Sequence, residues 1–188
     1  MSNFEKLSMS FDIEELQKAT NELFTKMSWK QHIVKGLCMT QIPGDPSSAD
    51  GDKLRGVFYT KPDSTGKEVQ RENTIDESQY TEFVKEFKGT YFELVYKWLS
   101  AKYKLGRFRL LLLEPRTSLS WHRDPEPRLH IPIMTNPGAH LCIDDTLKHL
   151  PADGSVWFTD TTNYHTVFNG GEENRIHLVA CVLDYKFN

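Results

Sequence analysis

The chain has 188 residues, 38% of them apolar and 12% aromatic, which suits one compact unit able to bury about two-thirds of its unfolded surface. A formal charge of −3 gives no bulk attraction to nucleic acid or to an anionic membrane. No apolar run approaches the ~20 residues of a membrane span, and the start, Met1-Ser2-Asn3-Phe4-Glu5-Lys6, lacks the basic-then-apolar pattern of a secretory signal. The cysteines, Cys38, Cys142 and Cys181, are odd in number and form no C-x-x-C, so buried thiols in a reducing cytoplasm are expected rather than a disulfide framework or structural zinc.

In chain order, Asp12 followed by Glu15 reads as a capping box, opening a helix whose apolar stripe is Ile13, Leu16, Leu23, Phe24 and Met27. Trp29 to Thr40 reads as a strand. Gln41 to Arg55, with Pro43, Gly44, Pro46 and Gly51, reads as loop. Leu54 to Thr60 is a short strand candidate before a second loop region from Lys61 to Ser78, whose charge-rich part, Glu68 to Glu77, suits a solvated loop or a lid. From Gln79 to Lys104 the positions Phe83, Val84, Phe87, Tyr91, Val95, Trp98 and Leu99 predict a long amphipathic helix. Gly89 inside it costs ~1 kcal/mol relative to alanine and marks a kink or a break, and Gly106 ends it.

Beyond Gly106 the texture changes to short apolar runs divided by turn residues. Strands are expected at 107–115, 120–124, 129–135, 140–144, 155–160, 165–168 and 175–183. Asn136-Pro137-Gly138, Asp153-Gly154 and Asn169-Gly170-Gly171 stand between them. So many short antiparallel strands in about 80 residues predict a double-sheet jelly roll. The expected fold is mainly β with flanking helices: a cupin-like double-stranded β-helix at 106–188, with residues 1–105 as helix-rich N-terminal support and loops, all in a single domain.

Within this region His122-Arg123-Asp124 is an H-x-D pair. If it lies on a strand, its imidazole and carboxylate point the same way. His165 arrives from a distant strand, and the three make a two-histidine, one-carboxylate face that leaves half of an octahedral metal open, as in non-haem Fe(II) oxygenases. Arg175 follows and offers a planar fork for a carboxylate in the same barrel. Arg128 and His130 alternate with apolar Leu129 and Ile131 and so share one side of their strand. Trp157 suits barrel core, and His32, His140 and His149 show no partnered spacing.

The segments Leu119 to Asp124, Arg128 to Ile133, Gly154 to Trp157, His165 to Asn169 and Asn174 to Val179 together resemble the aspartyl/asparaginyl β-hydroxylase family of 2-oxoglutarate- and Fe(II)-dependent oxygenases. The resemblance covers roughly Arg107 to Asp184. It implies a double-stranded β-helix with Fe(II) held by His122, Asp124 and His165. Asp124 falls where small bacterial members carry a carboxylate and the animal enzyme that names the family has glycine. It also implies that Arg175 binds the distal carboxylate of 2-oxoglutarate, that His130 helps hold this co-substrate, and that Arg128 meets an acidic group of the prime substrate. Related oxygenases place Ser or Thr two residues after the arginine; here the residue is His177, so it joins the co-substrate candidates. Asn136 and Trp121 complete the substrate-contact candidates.

The implied reaction consumes O2 and converts 2-oxoglutarate to succinate and CO2 while hydroxylating an amino acid or an amino-acyl residue of a peptide or protein. No nucleic-acid or membrane partner is implied, and oligomeric state is open. A cupin-type metal enzyme that does not use 2-oxoglutarate, or a non-catalytic jelly-roll binding module, would share the fold. The filled site positions favour the oxygenase, since buried polar groups are costly unless used.

Overall fold

The computed structural model describes residues 2–26, 34–50, 60–72 and 75–184. Eight short strands after Ser100 build two facing sheets. They are β7 (Leu105–Leu113), β8 (Thr117–Ser118), β9 (Arg128–Met134), β10 (Ala139–Ile143), β11 (Thr146–Lys148), β12 (Ser155–Thr159), β13 (His165–Asn169) and β14 (Arg175–Val182). Before them come β1 (Phe4–Ser10), α1 (Ile13–Lys26), β2 (Val34–Cys38), β3 (Thr40–Gln41), β4 (Thr60–Pro62), β5 (Glu68–Gln70), β6 (Glu82–Phe83) and α2 (Tyr91–Ser100). The larger sheet runs β1-β12-β9-β14-β7-β2 and the smaller β11-β10-β13-β8. The pairings are antiparallel. Successive strands from β7 to β14 alternate between the two sheets, save that the hairpin of β10 and β11 stays in the smaller one, which is the jelly-roll winding expected from the turn spacing. Strands β1 and β2, from the first hundred residues, form the edges of the larger sheet.

Strand alternation sorts this sheet into two faces. Outward, Phe108, Leu110 and Leu112 of β7, Leu129, Ile131 and Ile133 of β9, Val156 and Phe158 of β12, and Ile176, Leu178 and Ala180 of β14 join one core with Leu16 and Leu23 of α1 and Phe92, Val95 and Leu99 of α2. The helices therefore back the sheet. Asp12 caps α1 through Oδ1, which accepts from the amides of Glu14 and Glu15. Gln17 of α1 donates to the carbonyl of Ile133. Inward, Leu113 and Trp157 meet Leu141, Ile143 and Val167 of the smaller sheet, so Trp157 is barrel core. The same inward face carries buried polar side chains in pairs, Arg107 and Arg109, Arg128 and His130, Arg175 and His177, beside apolar Val179 and Cys181. The register places Arg109, Val179, His130 and Trp157 in one row across four strands.

Three expectations give way. The helix predicted over 79–104 is a 3-10 turn (Glu77–Gln79), the short β6, a second 3-10 turn (Lys85–Phe87) and then α2. Gly89 takes φ +78°, which a right-handed helix cannot include, and its amide donates to Oε2 of Glu93 at the start of α2. Of the predicted apolar stripe, Trp98 is 59% exposed. Gly106 ends no helix; it lies in β7, where a Cβ would come 2.7 Å from Cβ of Glu77. The strand predicted at 120–124 reduces to one isolated bridge between His122 and His165, because the next amide along, that of Asp124, leaves β13 and bonds instead to the Thr161 carbonyl. Cys38, Cys142 and Cys181 are free thiols, with Cys142 only partly buried. Met27, Trp29, His32 and most of the strand candidate at 54–60 lie outside the described residues.

Candidate metal centre

His122, Asp124 and His165 meet at one mouth of the barrel. The His122 amide donates to the His165 carbonyl at 3.0 Å and the His165 amide donates back at 2.8 Å, pinning the segment after β8 to the start of β13. The Asp124 amide donates to the Thr161 carbonyl at 2.9 Å, just past β12. One ligand atom from each of the three side chains lies within 4.8 Å of the other two, and the two imidazole centroids are 4.2 Å apart.

The hydrogen bonds also fix the tautomers. Nδ1 of His122 lies 2.6 Å from the Ser120 carbonyl, and Nδ1 of His165 lies 3.0 Å from the Asn163 carbonyl. A carbonyl only accepts, so both Nδ1 atoms carry the proton, and the Nε2 lone pairs are the ligand atoms. Nε2 of His165 stands 3.7 Å from Oδ2 of Asp124. Burial pulls the His165 imidazole down to about 4, against the opposing pull of Asp124, so this ring is neutral at pH 7 as a ligand must be. Burial pushes the Asp124 carboxyl up, but Arg128, then His165 and His122, outweigh it and hold the group below its ordinary value. Two imidazoles that present Nε2 and an ionised carboxylate, offered from one side, form the donor set of the facial triad; the residues present fit a divalent iron.

Deeper in the barrel, where β14 starts and β7 ends, Arg175 is buried. Burial alone pulls it down to about 9; among the described residues no carboxylate offsets that burial. Its Nη2 lies 2.9 Å from Nδ1 of His177. A guanidinium only donates, so Nδ1 of His177 accepts and the imidazole proton sits on Nε2. That N–H is buried and finds no partner among the described residues. His130 Nδ1 lies 3.4 Å from His177 Nδ1, and the rings meet edge to face. Burial, then Arg175, holds both imidazoles well below their ordinary value. A cation without an anion and a donor without an acceptor, buried side by side, together suit a carboxylate.

The remaining candidates divide. Trp121, half exposed at the mouth, stacks on Tyr164 with centroids 6.2 Å apart and planes 4° from parallel. Arg128, expected to face a substrate, instead spends its guanidinium inside the protein: Nη2 is 3.2 Å from Oδ2 of Asp124, and Nη1 donates to the Glu126 carbonyl at 2.8 Å. Asn136, expected among the substrate contacts, is a corner brace at the opposite end of the barrel. Its Nδ2 donates to Asn169 Oδ1 and to the Glu173 carbonyl, and its Oδ1 accepts from the Gly138 amide, so both of its amide hydrogens and its oxygen are engaged. His140 and His149, read as unpartnered, pack together with ring centroids 5.8 Å apart.

Sequence reasoning missed the polar network behind Arg128. Glu77 accepts from the Arg107 amide through Oε2 and from Arg107 Nε through Oε1, both at 2.8 Å, with all these groups buried. Burial pushes the Glu77 carboxyl up, yet Arg107, with Arg128 and Arg109 behind it, holds it well below the usual carboxylate range. Arginines at i and i+2 in a leucine-rich strand were the available signal. Glu77, Glu126 and Cys181 also gather closely, but Glu77 is committed to Arg107 and burial keeps Cys181 a thiol, which makes a poor donor set.

The sequence pattern of a family described as aspartyl/asparaginyl beta-hydroxylase matches residues 64–184. No curated protein matches the chain. Among solved structures, an oxidoreductase of the 2OG-Fe(II) oxygenase family from Burkholderia pseudomallei superposes with a TM-score of 0.51 at 12% identity, over 95% of this chain and 83% of that one. A viral collagen prolyl hydroxylase from Paramecium Bursaria Chlorella virus-1, in a 2OG complex, does so at 0.51 and 11%, over 96% of each. A Pseudomonas putida prolyl-4-hydroxylase gives 0.50 and 10%, over 98% of this chain and 94% of that one. At these identities the likeness is one of fold, and the fold is the double-stranded β-helix.

Proposed function

The chain belongs to the aspartyl/asparaginyl beta-hydroxylase family, and on that premise we propose that it is an Fe(II)- and 2-oxoglutarate-dependent hydroxylase of an amino acid or an amino-acyl residue. The observation that carries this reading is the pairing of two unmet needs in one barrel: a three-ligand donor face at the mouth and a buried arginine short of an anion below it. When bound, the iron would supply O2 activation coupled to decarboxylation of 2-oxoglutarate to succinate and CO2.

Each residue then has a task of its own. His122 and His165 present Nε2 because the Ser120 and Asn163 carbonyls hold their other nitrogens protonated. Asp124 stays ionised and is steered by Arg128. Arg175 takes the distal carboxylate of the ketoacid, and the Nε2 proton of His177 fills the role that Ser or Thr has in related oxygenases. His130 packs against His177 and lines the same pocket. Apolar Leu141, Ile143 and Val167 on the facing sheet exclude water. Trp121 stands at the mouth, on the side from which a prime substrate would approach.

The test is an assay of succinate formation by the purified chain with Fe(II), O2 and 2-oxoglutarate, run over a panel of amino acids and peptides with mass spectrometry for the gain of one oxygen. Succinate that depends on both Fe(II) and 2-oxoglutarate supports the reading. Metal-dependent turnover that ignores 2-oxoglutarate would replace it with a cupin-type enzyme.

A further inference from the structure

The hairpin of β4 and β5 reaches the segments beside the metal face through Glu68, with Thr60 of the same hairpin also meeting the Tyr164 hydroxyl. The hairpin is closed by Asp63, whose Oδ1 accepts from the amides of Thr65 and Lys67. Oε1 of Glu68 receives Nε of Arg123 at 3.2 Å and Nη2 at 3.1 Å, and the same carboxylate accepts from the hydroxyls of Tyr164 and Thr60. The Arg123 guanidinium also lies over the Tyr164 ring, 5.2 Å from its centroid, and Trp121 covers that ring by stacking.

These partners stand next to the proposed ligands. Arg123 lies between His122 and Asp124, and Tyr164 precedes His165. Where His122 and His165 bridge each other in β fashion, the flanking side chains turn to the opposite side from the ligands. The two segments are thus joined by the backbone bridge and, on the outer side, by the contacts of Arg123 and Trp121 with Tyr164, which Glu68 braces by holding both Arg123 and Tyr164.

Resting on the metal site proposed above, we propose that Glu68 is a positioning residue: it ties the 121–124 segment to the 163–165 segment and so sets the spacing of the three ligands, making the hairpin part of the site. A stability role fits the arrangement poorly. Glu68 and Arg123 are each 35% exposed, and ion pairs so placed add little to folding. Orientation is different, because groups behind metal ligands commonly change metal affinity 10- to 100-fold.

The experiment is titration of the metal-free chain with Co(II), an air-stable stand-in for iron, followed by the visible absorption of the bound ion. Glu68→Ala is expected to weaken Co(II) binding about tenfold and to alter the spectrum, while the thermal midpoint of the metal-free chain moves by no more than about 2 °C. Glu68→Gln keeps an acceptor for the hydroxyls and recovers part of the loss. Arg123→Gln weakens binding to a similar degree, and the double variant is no weaker than Arg123→Gln alone. Unchanged Co(II) affinity and spectrum in Glu68→Ala, or losses that add in full in the double variant, would overturn the proposal while leaving the metal site standing. An unaltered chain that binds no Co(II) would remove the metal site and this role for Glu68 together.

Discussion

Arg175 places Nη2 2.9 Å from Nδ1 of His177, and this one contact decides where the imidazole keeps its proton. The guanidinium has no lone pair to offer, so His177 accepts at Nδ1 and keeps its proton on Nε2, which is buried without a partner among the described residues. Arg175→Met therefore removes both the cation and the constraint on the tautomer. The expected result is a rise of about 10- to 100-fold in the 2-oxoglutarate concentration needed for half-maximal succinate formation, with Co(II) affinity unchanged. Steady-state kinetics at varied 2-oxoglutarate checks it; an unchanged requirement would take Arg175 out of the co-substrate pocket.

The same pocket makes the fold sensitive to acid. His130 and His177 are held well below their ordinary value of 6.5, first by burial and then by Arg175. In the unfolded chain both titrate near 6.5. Below that pH the unfolded chain binds more protons than the folded one, so stability falls as pH falls, by about 1.4 kcal/mol per pH unit for each imidazole that stays neutral. His165, pulled down to about 4 by burial, adds in the same direction until the pH reaches that value. Glu77, held well below its ordinary value of 4.5 as Arg107 outweighs burial, extends the loss below about pH 4.5. Thermal midpoints of the metal-free chain from pH 8 to pH 4 should decline steadily once below about 6.5. A flat profile between 8 and 5 would mean that the folded barrel accepts these protons.

Behind the metal face, Glu77 is the acid that balances Arg107 in a buried pair. Glu77→Ala leaves that guanidinium buried without its carboxylate and should destabilise the chain by about 3–5 kcal/mol, or roughly 10 °C in thermal midpoint. The double change Glu77→Leu with Arg107→Met, which removes both charges, should recover most of the loss. Calorimetry of the single and double variants checks this, and a double variant as unstable as Glu77→Ala would show that the pair does more than neutralise itself.

The jelly roll was legible because its turns are written in local chemistry. Asn136-Pro137-Gly138, Asp153-Gly154 and Asn169-Gly170-Gly171 separate runs too short for helices, and β9, β10, β12, β13 and β14 start and end within a residue or two of their predicted limits. The trio His122, Asp124 and His165 was legible through its order and residue types, although its local backbone was misread as a strand. Edge strand β1 went unseen because its alternation is short and shallow: only Phe4 is buried, and Leu7 and Met9 are half-buried between exposed neighbours. The helix over 79–104 failed on Gly89: a periodic pattern does not reveal a positive φ. Arg128 and Asn136 were given to a substrate because a sequence shows a side chain's capacity and not its neighbours; Asp124 and Asn169 claim them in the fold. Glu68 could not be found at all from the sequence, since its meeting with Arg123 depends on where a distant hairpin lands.

The central claim is that His122, Asp124 and His165 hold one iron in reach of a ketoacid bound by Arg175. Its most direct measurement is succinate formation from 2-oxoglutarate by the unaltered chain and by Asp124→Ala, each with saturating Fe(II), beside their Co(II) titrations. The account predicts Fe(II)-dependent succinate and one bound Co(II) for the unaltered chain, and loss of both in Asp124→Ala. Full succinate formation by Asp124→Ala, or tight Co(II) binding that ignores the substitution, would contradict it.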